Sequence, residues 1–474
     1  MVKQDELAGK RLVILGLARQ GKALARFAVQ AGAQVVVSDL RAPDKLADGL
    51  AELTGLGIQF VLGEHPLSLL DGTDVLAVSG GVPAGAPIVQ AAQARGIRVT
   101  NDALEFMRRT PAQVIGITGS AGKTTTTALT GAMGQAAGRT TWIGGNIGNP
   151  LIADLARMQP GDLVVQELSS FQLELWTSRP PVVPPAVATV LNVTPNHLDR
   201  HGTLAAYAAA KANILRFQAE DGITVLNADD QGSERMAGMA PGRVRWFSMA
   251  SLVDDGAYCR EGQIWLKGRG GEPQTVCDVA QIRLRGRHNL ANVLAAVTLA
   301  DSVGIPLAAM RQAIADFRGV PHRLEMVATI NGVQYVNDSI ATAPERAMAA
   351  FAAFAEPLIL LAGGQDKDLV WEMWAQAVQQ RVKTVVLFGA LAPLLAERLA
   401  AAGTPPGRDV LRVVRAPDLA AAISEAAGLA APGDVVLLSP GGTSFDAFAD
   451  FAERGDQFRC LVQALAHPAG QQEA

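Results

Sequence analysis

Cysteine is scarce: the chain has three, Cys259, Cys277 and Cys460, an odd number without metal-ligand spacing. That excludes a disulfide framework and a cysteine zinc site and leaves free thiols. An excess of positive charge is also missing. Lysine plus arginine total 41 against 45 aspartate plus glutamate, a net charge of −4, so there is no broad basic field to hold nucleic acid or an anionic membrane. Nowhere do about 18 apolar residues run uninterrupted, as a membrane helix requires. At the N-terminus Lys3, Asp5, Glu6, Lys10 and Arg11 precede a short apolar run that Arg19 interrupts, which matches neither a signal peptide nor a span. A cytoplasmic protein without a membrane span is the expectation.

What the chain does have is apolar bulk. Its 474 residues are 49% hydrophobic and only 18% charged, enough to bury substantial cores and unlike a disordered composition. At about 150 residues per domain the length suggests roughly three domains. Short β-branched runs alternate with alanine-rich helical stretches: Arg11 to Gly16, Ala33 to Ser38, Asp74 to Ser79, Val114 to Thr118 and Asp162 to Gln166. Such alternation predicts α/β architecture, with mostly parallel sheets covered by helices. The pattern restarts near Arg108 to Pro111 and again after Phe317 to Pro321, continuing with Val333 to Val336, Pro357 to Leu361, Thr384 to Phe388 and Asp434 to Leu438. These restarts divide the chain into 1–109, 110–319 and 320–474.

The second segment opens on a strand, Val114 to Thr118, then Gly119-Ser120-Ala121-Gly122-Lys123-Thr124 and a helix from Thr125. Glycines let backbone N–H groups approach phosphate, and a helix N-terminus adds partial positive charge. In this variant of the nucleotide loop, whose strict spacing would put glycine at Ile117, Lys123 neutralises β/γ-phosphates and the Thr124 hydroxyl binds Mg²⁺. The alternative is a plain glycine-rich turn. Near the N-terminus Gly16-Leu17-Ala18-Arg19-Gln20-Gly21, with Asp39 closing the next strand, fits NAD, another nucleotide or an empty βαβ unit equally, since Ala18 replaces the second glycine.

Three further positions bear chemistry. Glu167 ends a buried strand, where ligands of α/β sheets bind. His197 and His201 lie four apart in the polar stretch Asn192 to His201 and read either as ligands or as solvated loop and capping residues. Lys211 shares a helix face with Tyr207, Ile214 and Leu215. It reads either as a snorkelling lysine or as an amine whose pKa burial lowers, leaving it free to react with CO₂.

Taken together these stretches resemble the Mur ligases. The matching segments are Gly116 to Thr124, Gly144 to Gly148, Glu167 to Leu173, Asn192 to His201, Arg287 to Asn289, Pro321 to Glu325, Asn337 to Ser339 and Ser439 to Glu453, in family order across essentially the whole chain. The resemblance implies a Rossmann-like N-terminal domain for a UDP substrate, a central P-loop ATPase domain with a mostly parallel sheet, and a C-terminal Rossmann-like domain that closes over an amino acid. It implies ATP and two Mg²⁺ ions as cofactors, UDP-N-acetylmuramoyl-L-alanine and D-glutamate as substrates, and a monomer that binds no nucleic acid.

Residue by residue, Arg19, Gln20, Asp39, Leu40, Gly81 and Asn146 match UDP-substrate contacts. Gly119, Ser120, Ala121, Gly122, Lys123, Thr124, Thr125, Asn292, Arg323 and Asp338 match ATP contacts, with Asn292 at adenine, Arg323 at phosphate and Asp338 at ribose. Thr124, Glu167 and His197 match metal ligands, and Lys211 matches a carbamylated lysine whose added anion suits a hard cation. With Lys123, the residues Glu167, His197 and Lys211 form the implied catalytic set. Thr342, Lys367, Ser444 and Phe451 match the amino-acid pocket.

Two positions depart from the family. Ala121 replaces a common asparagine, and Ile340 stands where enzymes adding D-glutamate often carry lysine. The L-glutamate-adding variant therefore stays open, with Lys367 favouring D-glutamate. The implied reaction is ATP-dependent amide formation through an acyl phosphate, with no covalent side-chain nucleophile. The competing readings are a folylpolyglutamate synthase-like ligase, a non-catalytic nucleotide switch and an NAD-dependent oxidoreductase. The N-terminal unit from Arg11 to Leu40 speaks against the first. The joint presence of Glu167, His197 and Lys211 speaks against the second, and ATP hydrolysis without nicotinamide binding would remove the third.

Overall fold

The computed structural model describes residues 4–177, 183–351, 353–367 and 369–466; Lys3 lies outside them. Two compact units emerge, one from the residues through Ile282 with His288–Phe317, the other from Arg283–Arg287 with the residues from Arg318 onward.

The first unit carries two sheets. In the N-terminal one, β1 (Arg11–Leu15), β2 (Gln34–Asp39), β3 (Gln59–Leu62), β4 (Val75–Val78) and β5 (Arg98–Thr100) run in the order β3-β2-β1-β4-β5. Every pairing is parallel. Strand order reverses between β1 and β4, which opens a crevice at their C-terminal ends, where open α/β sheets bind ligands. Four of the five residues of β1 are buried, as a parallel strand covered on both faces requires.

The second sheet has nine strands in the order β14-β13-β12-β11-β10-β9-β6-β8-β7. Its parallel part comprises β6 (Gln113–Thr118), β7 (Thr141–Gly145), β8 (Leu163–Glu167), β9 (Val187–Val190), β10 (Ile223–Asn227), β11 (Arg243–Ser248) and β12 (Gly256–Arg260). β13 (Gln263–Lys267) and β14 (Gln274–Asp278) extend it antiparallel. β12 and β13 meet at Glu261 and Gly262, both with positive φ (52° and 76°), the conformation a two-residue hairpin turn demands.

The second unit holds β15 (Glu325–Ile330), β16 (Val333–Asn337), β17 (Leu358–Gly363), β18 (Val382–Phe388), β19 (Arg412–Arg415) and β20 (Val435–Gly441), ordered β15-β16-β20-β17-β18-β19. β15 pairs antiparallel and the rest are parallel. β17 and β20 are buried throughout. Among the described residues no helix is long and apolar enough to cross a membrane, and all three cysteines are free.

An ion network pins the segment before β1. Arg109 forks onto Asp5 (2.7 and 2.9 Å) and reaches Glu105 at 2.7 Å, Arg98 lies 3.2 Å from Glu105, and Arg108 holds Glu6 at 2.8 Å. Burial raises the Asp5 carboxyl, but Arg109 and the Leu7 amide outweigh it and leave it below the ordinary range; Arg108 does the same for Glu6. With depressed native values, this stabilisation is complete at neutral pH and is lost as pH falls through them. Arg109→Ala would leave the fully buried Glu105 with Arg98 as its cation, would free Asp5, and is expected to cost about 3 kcal/mol at pH 7. Thermal melts at pH 7 and pH 3 test this: the gap between parent and variant should narrow in acid.

Candidate functional site

The phosphate loop joins β6 to the helix Lys123–Ala136, which begins two residues before the start read at Thr125. Two of its glycines are obligatory. Gly119 and Gly122 adopt φ of 155° and 85°, and a Cβ on Gly122 would stand 2.2 Å from the Asn292 side-chain oxygen. Asn192 braces the loop from outside: its Oδ1 accepts from the Ala121 amide at 2.8 Å and its Nδ2 donates to the Ala121 carbonyl at 3.1 Å. Ala121 thus lacks a side-chain donor but has a fixed backbone. Gly122 caps the helix, so the first-turn amides that lack helical partners adjoin the loop, an anion-binding arrangement. Asn292 accepts from Thr126 Oγ1 at 3.4 Å and so lies over the start of that helix.

Glu167, at the end of β8, is 1% exposed. Its Oε2 accepts from Thr124 Oγ1 at 2.9 Å and its Oε1 from Asn146 Nδ2 at 3.0 Å. Lys211, in the helix Leu204–Arg216, is also 1% exposed. The snorkelling reading is therefore corrected: packing of the helix face that carries Tyr207, Ile214 and Leu215 takes the amine out of water. Its Nζ donates to the Gly119 carbonyl at 2.9 Å, and Lys123 Nζ donates to the same oxygen at 2.9 Å. Burial, then the nearby Lys123 charge, pushes the Lys211 pKa down to about 6, against the pull of Glu167. Two ammoniums cannot comfortably share one buried carbonyl, so the neutral amine is favoured at physiological pH.

His197 is exposed and occupies the cap position of the short helix Leu198–His201, with φ of 52°. Its ring lies 4.9 Å from Phe171 and 6.3 Å from Tyr207, and the Lys211 Nζ stands 4.4 Å over Tyr207. The structure thus joins His197 and Lys211 through one aromatic cluster. His201 packs in the same cluster, 5.6 Å from Phe171 and 5.2 Å from Tyr207, with its Nε2 3.0 Å from Ser170 Oγ. Among the described residues no three His, Cys, Asp or Glu side chains converge as a metal site. The hydroxyl of Thr124 and the carboxylate of Glu167 do fit Mg²⁺, which takes hard oxygen donors and completes its shell with water and phosphate oxygens.

At the β1/β4 crevice, Asp39 accepts from the Leu17 amide at 2.8 Å and from Arg41 through both carboxylate oxygens. Burial raises its pKa, but Arg41 and Leu17 win and hold it at about 2. Arg19, Leu40 and Gly81 are exposed and Gln20 is half-buried. The fingerprint's last glycine, Gly21, is a packing residue, because a Cβ there would meet the Gly16 carbonyl at 2.0 Å. Arg41 was not singled out in the sequence; an arginine two residues after a strand-ending aspartate was the available signal.

In the second unit, Asp338 follows β16 and accepts from Ser439 Oγ at 2.9 Å and the Leu324 amide at 3.2 Å. Burial pushes its carboxyl up to about 7 against those bonds and the nearby Arg323 and Arg346. Arg323 sits between two left-handed non-glycine residues, His322 (φ 64°) and Leu324 (φ 43°), the backbone strain that functional sites concentrate. Ser444 is buried, Thr342 and Phe451 are half-buried, and exposed Lys367 lies 5.3 Å over the Phe445 ring. Arg454, unmarked in the sequence reading, is fully buried and binds the Ser339 carbonyl at 2.9 Å and the Gly442 carbonyl at 3.2 Å. It ties the loop after β16 to the loop after β20, and burial lowers its pKa to about 10.

Comparison with known proteins covers most of the chain. Residues 10–101 match the Mur ligase MurD-like N-terminal domain, 117–300 the Mur ligase middle domain and 322–442 the Mur ligase glutamate ligase domain. UDP-N-acetylmuramoylalanine--D-glutamate ligase of Symbiobacterium thermophilum is 41% identical over 460 residues, covering 96% of this chain and 98% of that one. Its namesake from Pelotomaculum thermopropionicum is 39% identical over 456 residues, with 96% and 98% covered. Among solved structures, MurF from Acinetobacter baumannii aligns with a TM-score of 0.57 at 16% identity, covering 95% of this chain and 93% of that one. UDP-N-acetylmuramate-alanine ligase from Thermotoga maritima aligns at 0.56 and 18%, covering 96% and 99%. These last two show a shared fold.

Proposed function

The chain belongs to the Mur ligase family, and we propose that the groups gathered at Gly119 and Glu167 activate a carboxylate as an acyl phosphate for amide formation. It is an ATP-dependent ligase that adds D-glutamate to UDP-N-acetylmuramoyl-L-alanine, a cytoplasmic step of peptidoglycan precursor synthesis. The observation that carries the mechanism is the convergence of Lys123 and Lys211 on one carbonyl beside the Thr124–Glu167 pair.

Loop amides from Gly119 to Thr125 cradle phosphate, and Lys123 leaves its carbonyl partners to neutralise the β/γ-oxygens. Asn292 contacts adenine, Arg323 phosphate and Asp338 ribose. The neutral Lys211 amine attacks CO₂; an N–C bond forms and a proton leaves, turning a poorly placed cation into an anion. That carbamate, with Thr124, Glu167 and His197, would hold two Mg²⁺ ions, which supply charge neutralisation to the crowded phosphates. Asn146, bonded to Glu167, orients the UDP-sugar substrate, whose UDP group rests on Arg19, Gln20, Asp39, Leu40 and Gly81. Its L-alanine carboxylate attacks the γ-phosphorus, ADP departs, and the amine of glutamate then displaces phosphate from the acyl carbon. Lys367 and Ser444 meet the glutamate carboxylates, with Thr342 and Phe451 lining the pocket. Ile340 leaves that pocket one cation short, and Lys367 supplies the charge that a glutamate carboxylate needs there. Domain limits at 109 and 319 and a monomeric state complete the reading.

The test is phosphate release with ATP, Mg²⁺ and UDP-N-acetylmuramoyl-L-alanine, offered D-glutamate, L-glutamate or neither. Release only with D-glutamate is expected; release that ignores both cosubstrates would defeat the ligase mechanism.

A further inference from the structure

Arg200 takes part in neither the nucleotide loop nor the metal set, yet its surroundings are unusually specific. It lies in the one-turn helix that begins after His197, with its side chain 13% exposed. One terminal nitrogen donates to the Gly80 carbonyl at 2.6 Å; the other donates to the Val82 carbonyl at 3.1 Å and to Glu174 Oε1 at 2.6 Å. The guanidinium carbon lies 3.9 Å over the Phe171 ring centroid. Among the described residues Glu174 is the carboxylate bonded to it, and the nearby His201 Nδ1 stands 3.9 Å from the other Glu174 oxygen.

The two carbonyls bracket Gly81. A trans peptide points its N–H opposite its C=O, so fixing the Gly80 carbonyl on Arg200 aims the Gly81 N–H away from Arg200. The Val82 carbonyl is followed by Pro83, which has no N–H to offer. The grip on this loop therefore turns the Gly81 amide to the side away from the arginine. The loop follows β4, on one wall of the β1/β4 crevice, and its turn is closed by the Val82 amide on the Ser79 carbonyl at 2.9 Å. A lysine, a point charge on a flexible stem, could not fork onto two carbonyls and a carboxylate while stacking on a ring.

We infer that Arg200 is a positioning residue for the UDP-sugar substrate: it fixes the Gly80–Val82 loop so that the Gly81 amide faces the nucleotide diphosphate, and it hangs that loop on the short helix headed by His197. The inference rests on the UDP-binding role proposed above. One side chain then sets both where the substrate is gripped and where its carboxylate end lies relative to the central sheet.

Calorimetric titration of UDP-N-acetylmuramoyl-L-alanine into nucleotide-free, Mg²⁺-free enzyme reads the first part, and steady-state kinetics read the second. Arg200→Gln is expected to weaken that Kd by about tenfold and to lower kcat by about tenfold or more, while KM for ATP stays within about twofold. Arg200→Lys should recover less than half of the lost kcat. Glu174→Gln, which keeps the arginine but removes its charge partner, should shift the same two quantities in the same direction by less. Unchanged Kd and kcat in Arg200→Gln would overturn the inference, as would an equal rise in KM for all substrates with a lowered melting temperature, the mark of a merely structural residue. A parent enzyme that fails to bind the UDP-sugar would instead count against the proposed function.

Discussion

Lys211→Ala is expected to lose about 100- to 1,000-fold in kcat, with part of that activity restored by added short-chain carboxylates. The variant opens a cavity beside Tyr207 and the Gly119 carbonyl, and a small carboxylate can return the anion that the lysine would carry as its carbamate. The same side chain imposes a cost on folding. Between about pH 6 and the ordinary lysine value of 10.5, the unfolded chain binds a proton that the folded chain does not. Stability of CO₂-free enzyme therefore rises with pH across that window. Lys211→Met, which packs without charge, is expected to be inactive yet more stable at pH 7 by about 1–3 kcal/mol. Calorimetric melts of parent and variant in CO₂-stripped buffer decide this; a variant that melts lower, or retains full activity, would show that the amine is neither strained nor modified.

Glu167→Gln should have the second-largest effect, about 100-fold or more in kcat. The carboxylate now accepts from Thr124 on one oxygen and Asn146 on the other. A glutamine must present its NH₂ to one of those two donors, breaking one bond and removing the negative charge together. The Mg²⁺ concentration for half-maximal activity should rise severalfold, while nucleotide binding without metal changes little. An unaltered Mg²⁺ titration would move Glu167 out of the metal site.

Much of this was legible in sequence because the relevant signals are local. The β-branched runs found the cores of β1, β2, β4, β6 and β8, since parallel strands buried on both faces read as continuous apolar stretches. The antiparallel β12–β14 extension was passed over although Gly256 to Asp278 alternates and turns at Glu261-Gly262; its half-exposed strands give a weaker signal. The phosphate loop announced itself, but its brace did not: Asn192 lies 71 positions from Ala121. Arg200 and Arg454 look like any surface arginine in a string of letters, because only tertiary packing buries them. Lys211 falls between these cases. Helical spacing foretold an apolar side, and only the fold revealed how completely water is excluded.

Gly122 is locked twice, by its left-handed backbone and by the Asn292 oxygen that fills the space where a Cβ would stand. Neither position can drift alone: any larger residue at 122 collides, and a longer side chain at 292 meets the loop. A ligand resting on that patch of bare backbone would therefore meet a wall that substitution at 122 can alter only by collision with Asn292 and strain in the turn.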